Sequence, residues 1–220
     1  MKIICLVGEI GTGKTTVAKI LENLGADVIY SDYVAKIVSS KSAIKLELVK
    51  FFGKKILYRN GRLNRKKLAN IVFSNRDKLE RLNEIMLPQI VKEIKKILYQ
   101  KEKLEKTSKP TIKKIKRTKK EDERIVVIEA PLLFITNLYK KCNEILYVTC
   151  PIDLRIERVA SNMNLSEKEA KLRVEGQNLY IPIEKVNYII NNNKDMNYLK
   201  KEIKKYYKYI QDRYLFKSLF

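Results

Sequence analysis

Residues 8 to 15 of the 220-residue chain read GEIGTGKT, with glycines, a lysine and a threonine at the spacing G-x-x-x-x-G-K-[ST]. Such a loop presents backbone N–H groups to an anion, and the helix after it adds unpaired N–H groups and a positive dipole end. The lysine can reach the β- and γ-phosphate oxygens, and the threonine hydroxyl can bind Mg²⁺. The pattern predicts a site for the phosphates of ATP, formed by Gly8, Glu9, Ile10, Gly11, Thr12, Gly13, Lys14 and Thr15.

The residues on either side of the loop have the character that this motif requires. Residues 2 to 7 form a short apolar run with β-branched members, which is typical of a buried strand. Residues 14 to 24 place apolar side chains at helical spacing, and Gly25 is typical of the position after a helix. The order strand, loop, helix argues against a chance match in a glycine-rich turn.

Charge and composition limit the class of protein without choosing one. The chain has no histidine and three cysteines without a C-x-x-C pair, which excludes a histidine-containing zinc site and favours reduced thiols in a cytoplasmic protein. No apolar run reaches the roughly 18 residues of a membrane-spanning helix. The net charge of +22 is compatible with nucleic-acid binding, but A/T-rich codons also yield this Lys-, Ile-, Asn- and Tyr-rich composition, and we favour that origin.

Strand and helix patterns alternate along the rest of the chain. Strand character recurs at residues 26–30, 125–129, 145–149 and 186–190. Helical patterns cover about residues 33–38, 42–52, 65–72, 75–98, 153–162, 167–177 and 196–215, with a capping box at Ser166 and Glu169. The lysine-dense residues 100–124 predict a solvated or mobile insertion, with an arm for nucleic acid or membrane as the alternative. The alternation predicts an α/β fold whose mostly parallel sheet is covered by helices on both faces.

Two acidic residues stand at or just after the ends of predicted strands, at the edge of the sheet where the loop opens. Asp32 comes just after the second strand, where a carboxylate could accept or orient a hydroxyl proton during phosphoryl transfer. It could equally cap the helix that begins at Tyr33 or Val34. Glu129 ends a strand where many P-loop proteins place an acidic group on Mg²⁺, or it is a solvated strand end.

Six stretches, taken in chain order, carry a family resemblance: GEIGTGKTTVAKILENLGADVIYSD, GRLNRKKLANIVF, LNEIMLPQIVKEI, APLLF, SEKEAKLRVEGQ and VNYIINNN. The chain resembles dephospho-CoA kinases in these stretches, which span nearly all of it except about residues 100–124. The resemblance implies a P-loop kinase fold with a helical acceptor-binding insertion and a lid. It implies transfer of the ATP γ-phosphoryl group, with Mg²⁺, to the ribose 3′-hydroxyl of dephospho-coenzyme A. It further implies a nucleotide-binding core of residues 1–35, 123–154 and 183–220, an acceptor-binding region of residues 36–122, and a lid of residues 155–182.

The resemblance also implies roles for single residues. Asp32 would be the catalytic aspartate, assisted by Lys14, and Arg158 would lie in the lid near the phosphates. Thr16 would join the loop residues at ATP and Mg²⁺, and Asn192 would lie near the adenine. The substrate-binding residues would be Asp32, Arg65, Pro131, Leu132, Arg173 and Gln177.

Several of these assignments have plain alternatives. Arg158 could form a surface salt bridge with Glu157 or a nearby acid. Arg173 and Gln177, four residues apart, would share a helix face that could simply be solvated. The chain departs from the family pattern at Tyr30, Ser31, Leu87, Ile135, Asn162, Asn187 and Asn191. The alternative functions are another P-loop kinase of nucleosides or nucleotides and a nucleic-acid-binding ATPase, and the sequence indicates no oligomeric state.

Overall fold

The computed structural model of the protein describes residues 1–73, 75–107, 124–131, 133–177 and 179–216. The chain forms two compact units, one of Met1–Ile29 with Glu105–Phe220 and one of Tyr30–Leu104. Most of the predicted lysine-dense insertion, residues 108–123, lies outside the described residues. Within the described ranges, no helix combines the length and the apolar character needed to cross a membrane.

A five-stranded sheet organises the nucleotide-loop half of the chain, with the strand order β2-β3-β1-β4-β5. The strands are β1 (Lys2–Val7), β2 (Asp27–Tyr30), β3 (Ile125–Glu129), β4 (Glu144–Thr149) and β5 (Tyr188–Asn191). β1 pairs in parallel with β3 and with β4, and β4 pairs in parallel with β5. Parallel strands covered on both faces need continuous apolar runs, and residues 4–7 of β1 are accordingly inaccessible to solvent. The predicted α/β class and all five predicted strands are confirmed.

The described residues also form eight α-helices. They are α1 (Lys14–Asn23), α2 (Ser31–Ser40), α3 (Ser42–Phe52), α4 (Arg65–Phe73), α5 (Arg76–Thr107), α6 (Ile152–Met163), α7 (Glu167–Glu175) and α8 (Met196–Phe216). Capping residues in the sequence mark where two of these helices begin. The predicted capping box of Ser166 and Glu169 begins α7, and the Asp195 carboxylate accepts backbone N–H groups at the start of α8.

The unit of Tyr30–Leu104 is helical, as the middle of the chain predicted. Apart from Tyr30 at the end of β2, its β-structure among the described residues is a single antiparallel bridge between Leu57 and Leu63. Leu48 and Ile56 are fully buried in its core. α5 continues beyond the predicted end at residue 98 because its last turns are rich in Lys and Glu, which favour helix without an apolar face.

The cysteines depart from the sequence-based prediction. Cys5 on β1 and Cys142 before β4 are joined in a disulfide, so the expectation of reduced thiols is wrong for this pair. The two residues are 137 positions apart, and only the pairing of β1 with β4 brings them together. Cys150 is a free, buried thiol.

Candidate active site

The GEIGTGKT loop connects β1 to α1 and is shaped by hydrogen bonds within itself. The Glu9 carbonyl oxygen accepts a hydrogen bond from the Thr12 hydroxyl at 2.9 Å and another from Lys14 Nζ at 2.8 Å. Thr12 is fully buried, so its side chain serves the shape of the loop and faces the protein. Lys14 is only 9% exposed, and its ammonium group is held at the loop.

Two loop glycines are required by neighbouring elements of the protein. Gly11 has a φ of 82°, and a Cβ at this position would lie 2.7 Å from the Arg155 carbonyl oxygen. Gly13 has a φ of 89°, and its Cβ would lie 2.4 Å from Asn192 Nδ2. Positive φ angles at glycines are typical of such a loop, whereas these close contacts come from the tertiary structure.

Asn192 follows β5 and supports the loop from the protein side. It is buried, and its Nδ2 donates a hydrogen bond to the Thr12 carbonyl oxygen at 2.8 Å. A buried amide with a backbone partner fixes the loop without exposing an unsatisfied polar group. The contact of Asn192 with adenine stays a prediction.

A hydroxyl and a carboxylate meet at the start of α1. Thr15 Oγ1 donates a hydrogen bond to Glu129 Oε1 at 2.8 Å. The pair forms because Glu129 ends β3, in register with Leu6 of β1 just before the loop. Hydroxyl and carboxylate oxygens are ligands that suit Mg²⁺, which usually takes one or two protein groups and completes its coordination with phosphates and water. The described residues contain no cluster of three or more His, Cys, Asp or Glu that could hold an ion by itself.

Ile10 ties the loop to α6 and α7. Its side chain packs against the small apolar core that these two helices share. Its N–H donates to Gln177 Oε1 at 2.5 Å, and its carbonyl oxygen accepts a hydrogen bond from Arg155 Nε at 2.9 Å. The sequence analysis did not identify Arg155. The one indication was that Arg155 precedes Arg158 by about one helical turn, and this spacing does not distinguish it from a surface arginine.

Arg158 lies beside the thiol of Cys150, with Nη1 3.5 Å from Sγ. It forms no ion pair with any residue that the structure describes, so the predicted alternative of a salt bridge with Glu157 is not found there. Burial raises the pKa of the Cys150 thiol, although the guanidinium groups of Arg158 and Arg155 act in the opposite direction. The position of Arg158 near phosphates stays a prediction.

Arg173 and Gln177, which were predicted to share a helix face, do not lie on one helix in the structure. Arg173 is exposed on α7, with Nη1 3.2 Å from Met163 Sδ. Gln177 lies beyond the end of α7 at Glu175, so the prediction that Arg173 and Gln177 share a helix face is wrong. The helix ends before Gly176, and glycine has a low helix propensity.

Asp32 lies in the first turn of α2, in the unit of Tyr30–Leu104. The N-cap residue is Tyr30 and it has no side-chain cap, so the alternative that Asp32 caps the helix is wrong. Asp32 is exposed, and its carboxylate has no hydrogen-bond or ion-pair partner among the described residues. An acidic residue in a first turn is favoured by the helix dipole, and its exposure leaves this carboxylate accessible.

Arg65 fastens the helix that carries Asp32. It begins α4, and its Nη2 donates hydrogen bonds to the Lys36 carbonyl oxygen at 2.9 Å and to Ser39 Oγ at 3.1 Å. Both acceptors belong to α2. In the other unit, Pro131 is half-buried in the turn after β3, and the predicted Leu132 lies outside the described residues.

The chain is similar to known proteins in sequence and in fold. A family model described as dephospho-CoA kinase matches residues 2–103 and 99–197. The dephospho-CoA kinase of Fusobacterium nucleatum is 32% identical over 208 residues, covering 93% of this chain and 96% of that protein. The structure of a dephospho-CoA kinase from Campylobacter jejuni is similar at a TM-score of 0.62 and 26% identity, covering 96% of this chain and 98% of that one. A shikimate kinase from Acinetobacter baumannii, at a TM-score of 0.51 and 15% identity over 97% and 94% of the two chains, shares the fold.

Proposed function

The chain belongs to the dephospho-CoA kinase family, and we propose that it transfers the γ-phosphoryl group of ATP to the ribose 3′-hydroxyl of dephospho-coenzyme A. The single observation that carries the proposal is the intact phosphate loop, with Lys14 and the Thr15–Glu129 pair in place, in a chain that matches the family over most of its length. Phosphoryl transfer depends mainly on positioning and charge stabilisation, and the loop supplies both.

The proposed acceptor side depends on Asp32. Its carboxylate accepts the proton of the attacking hydroxyl, or orients that hydroxyl, as the oxygen approaches the γ-phosphorus in line with the leaving group. An exposed carboxylate is accessible to an incoming hydroxyl group. Arg65 contributes by holding α2, the helix that presents Asp32, through Lys36 and Ser39. Pro131, Leu132 and Arg173 are proposed to contact the acceptor.

The proposed phosphate side depends on the loop amides and on two cations. Lys14 and Arg158 offset negative charge on the transferring group, for which a guanidinium is well matched in shape. Thr15 and Glu129 would hold Mg²⁺, which supplies further neutralisation of the phosphate oxygens when it is bound. α6 and α7 exclude water that would otherwise hydrolyse ATP.

We further propose a division of labour and a location. Residues 1–35, 123–154 and 183–220 bind the nucleotide, residues 36–122 bind the acceptor, and residues 155–182 act as the lid. The location is the cytoplasm, where ATP for biosynthesis is available. The substrate of the family is a small molecule, so nucleic acid is not a proposed partner despite the net charge of +22.

A coupled ADP-release assay on the purified full chain tests the reaction. Dephospho-coenzyme A, a set of nucleosides and single-stranded DNA are offered side by side with ATP and Mg²⁺, and a sample with ATP alone measures background hydrolysis. We expect ADP release above background only with dephospho-coenzyme A. We also expect ³¹P NMR of the product to show that the new phosphate is attached to the 3′-oxygen.

Two results would contradict the proposal. Faster turnover with a nucleoside than with dephospho-coenzyme A would indicate another small-molecule kinase. ADP release stimulated by DNA, together with DNA binding that weakens steeply with salt, would indicate a nucleic-acid-dependent ATPase.

A further inference from the structure

The phosphate loop contains a negative charge of its own. Glu9 follows Gly8 directly, inside a loop that has to receive a triphosphate. Its carbonyl oxygen is one of the acceptors that shape the loop, since it receives Thr12 Oγ1 and Lys14 Nζ. A carboxylate attached to the same residue would repel phosphate if it turned toward the bound anion. The structure must therefore keep this side chain elsewhere.

Tyr147 holds that carboxylate. Its phenolic oxygen lies 3.0 Å from Glu9 Oε1 and 3.1 Å from Oε2, and it is the donor because an ionised carboxylate can only accept. Tyr147 is on β4, opposite Val7 of β1 and so beside the start of the loop. A hydrogen bond to a charged group is stronger than one between neutral groups.

The surroundings of Tyr147 favour a lasting contact. Tyr147 is half-buried, and burial raises the pKa of its phenol, which therefore keeps its proton and remains a donor at neutral pH. On the same side of the loop, Arg155 of α6 donates to the carbonyl oxygen of Ile10, the next residue. The Glu9 side chain is thus anchored to β4, next to a residue whose backbone is itself fixed by a cation.

We propose that Tyr147 is a positioning residue that holds the Glu9 carboxylate against β4 and so keeps its charge away from the phosphates of ATP. The inference rests on the proposed function, because it concerns the same nucleotide site. Without the phenol hydroxyl, the carboxylate is released beside the anion-binding loop and weakens nucleotide binding. The chemical step itself does not involve Tyr147.

A double-mutant cycle tests the proposal on the full chain. Tyr147→Phe removes the hydroxyl and keeps the ring, and Glu9→Gln removes the charge. We measure the Kd for MgATP by calorimetry, and KM for MgATP and kcat with dephospho-coenzyme A. Tyr147→Phe is expected to raise Kd and KM by about 10-fold, the size of a lost hydrogen bond to a charged group, with a much smaller change in kcat. In the Glu9→Gln background the same change should have less than about a twofold effect on Kd, because there is no charge to hold.

A second variant keeps the test independent of how Tyr147→Phe folds. Glu9→Asp retains the charge but shortens the side chain by one methylene, which takes the carboxylate out of reach of the phenol. This variant should therefore weaken MgATP binding. Glu9→Gln should bind MgATP at least as tightly as the unaltered chain. Tyr207→Phe is the control, because it removes another half-buried hydroxyl at the opposite end of α1, near Gly25, and should leave Kd unchanged.

Several outcomes would overturn the inference. They are an unchanged Kd in Tyr147→Phe, an equal loss of affinity in the Glu9→Gln background, and binding by Glu9→Asp equal to that of Glu9→Gln. The proposed function fails separately: an unaltered chain that binds MgATP but does not phosphorylate dephospho-coenzyme A contradicts that function, while the binding cycle still decides the role of Tyr147. An unaltered chain that binds no MgATP contradicts both.

Discussion

The phosphate loop and the start of α2 present their reactive groups in opposite ways. In the unit that contains the loop, Lys14 bonds to the Glu9 carbonyl oxygen and Thr15 bonds to Glu129, so these groups are fixed before any ligand arrives. In the unit of Tyr30–Leu104, the Asp32 carboxylate is exposed and bonds to none of the described residues. Only the helix beneath it is fastened, through Arg65.

This difference matches the chemistry proposed for each region. A triphosphate has the same shape in every turnover, so its site gains from groups that are already oriented and need no rearrangement. A carboxylate that must accept a proton gains from having no competing donor. The comparison therefore predicts that changes at the loop affect nucleotide binding, together with chemistry or stability depending on the residue, whereas a change at Asp32 affects the chemical step alone.

The largest effect is expected for Asp32→Asn. The amide cannot accept the hydroxyl proton, so kcat should fall by about 10²- to 10⁴-fold while the Kd for MgATP stays nearly unchanged. Steady-state kinetics and calorimetry measure the two quantities. Asp77→Asn is the matched control, because Asp77 is also an exposed acid in the first turn of a helix of the same unit. Near-normal turnover in Asp32→Asn would show that the proposed role is wrong.

Lys14→Ala should affect both binding and chemistry. The loss of a cation aimed at the developing charge is expected to lower kcat/KM by about 10²- to 10³-fold, and the Kd for MgATP should rise as well. Lys19→Ala, on the exposed side of α1, removes an equal charge and should have little effect. If the two lysine variants behaved alike, the general positive charge rather than the loop would be responsible for binding.

Glu129→Gln tests the proposed metal position. The variant keeps the size of the side chain but loses the charge, so the Mg²⁺ concentration for half-maximal activity should rise by about 10-fold or more, by analogy with the loss of a group that supports a metal site. A titration of activity with Mg²⁺ at fixed ATP measures it. Glu184→Gln, an exposed acid in a short 3₁₀ helix, is the control. An unchanged Mg²⁺ requirement would leave Thr15 without its proposed partner in metal binding.

The smallest effect is expected for a pair of glycine substitutions, one in each unit. Gly61 has a φ of 73° and open space around it, so Gly61→Ala should lower the free energy of unfolding only by the backbone cost of about 1–2 kcal/mol. Gly13→Ala should lower it more, because a Cβ there also meets Asn192 Nδ2 at 2.4 Å. Urea denaturation measures both, and Asn192→Ala should reduce the difference. Equal losses of unfolding free energy in the two variants would mean that the phosphate loop accommodates a Cβ as readily as an open turn does.

The sequence predicted those parts of the site that follow from local rules. The glycines, Lys14 and Thr15 were found because a phosphate loop is a continuous segment whose spacing is fixed by backbone geometry. The capping box at Ser166 was found for the same reason, since its two residues contact each other across one helical turn. The central strands were found from continuous apolar runs, because nearly every residue of a doubly covered strand is buried. The edge strands β2 and β5 are only partly buried.

The partners of those residues were decided by the tertiary structure alone. The Glu129 carboxylate reaches Thr15, Asn192 supports Thr12, Arg155 binds Ile10, and Tyr147 holds Glu9 across sequence separations of more than 100 residues. These contacts exist because β3 and β4 pair with β1 and β5 pairs with β4, so that the ends of these strands, with α6 after β4, reach one loop. A hydrophobic period or a sequence motif describes only residues that are neighbours along the chain. The order and register of parallel strands determine which distant side chains meet. The sequence therefore identified the phosphate loop, and the tertiary structure determined which residues hold it.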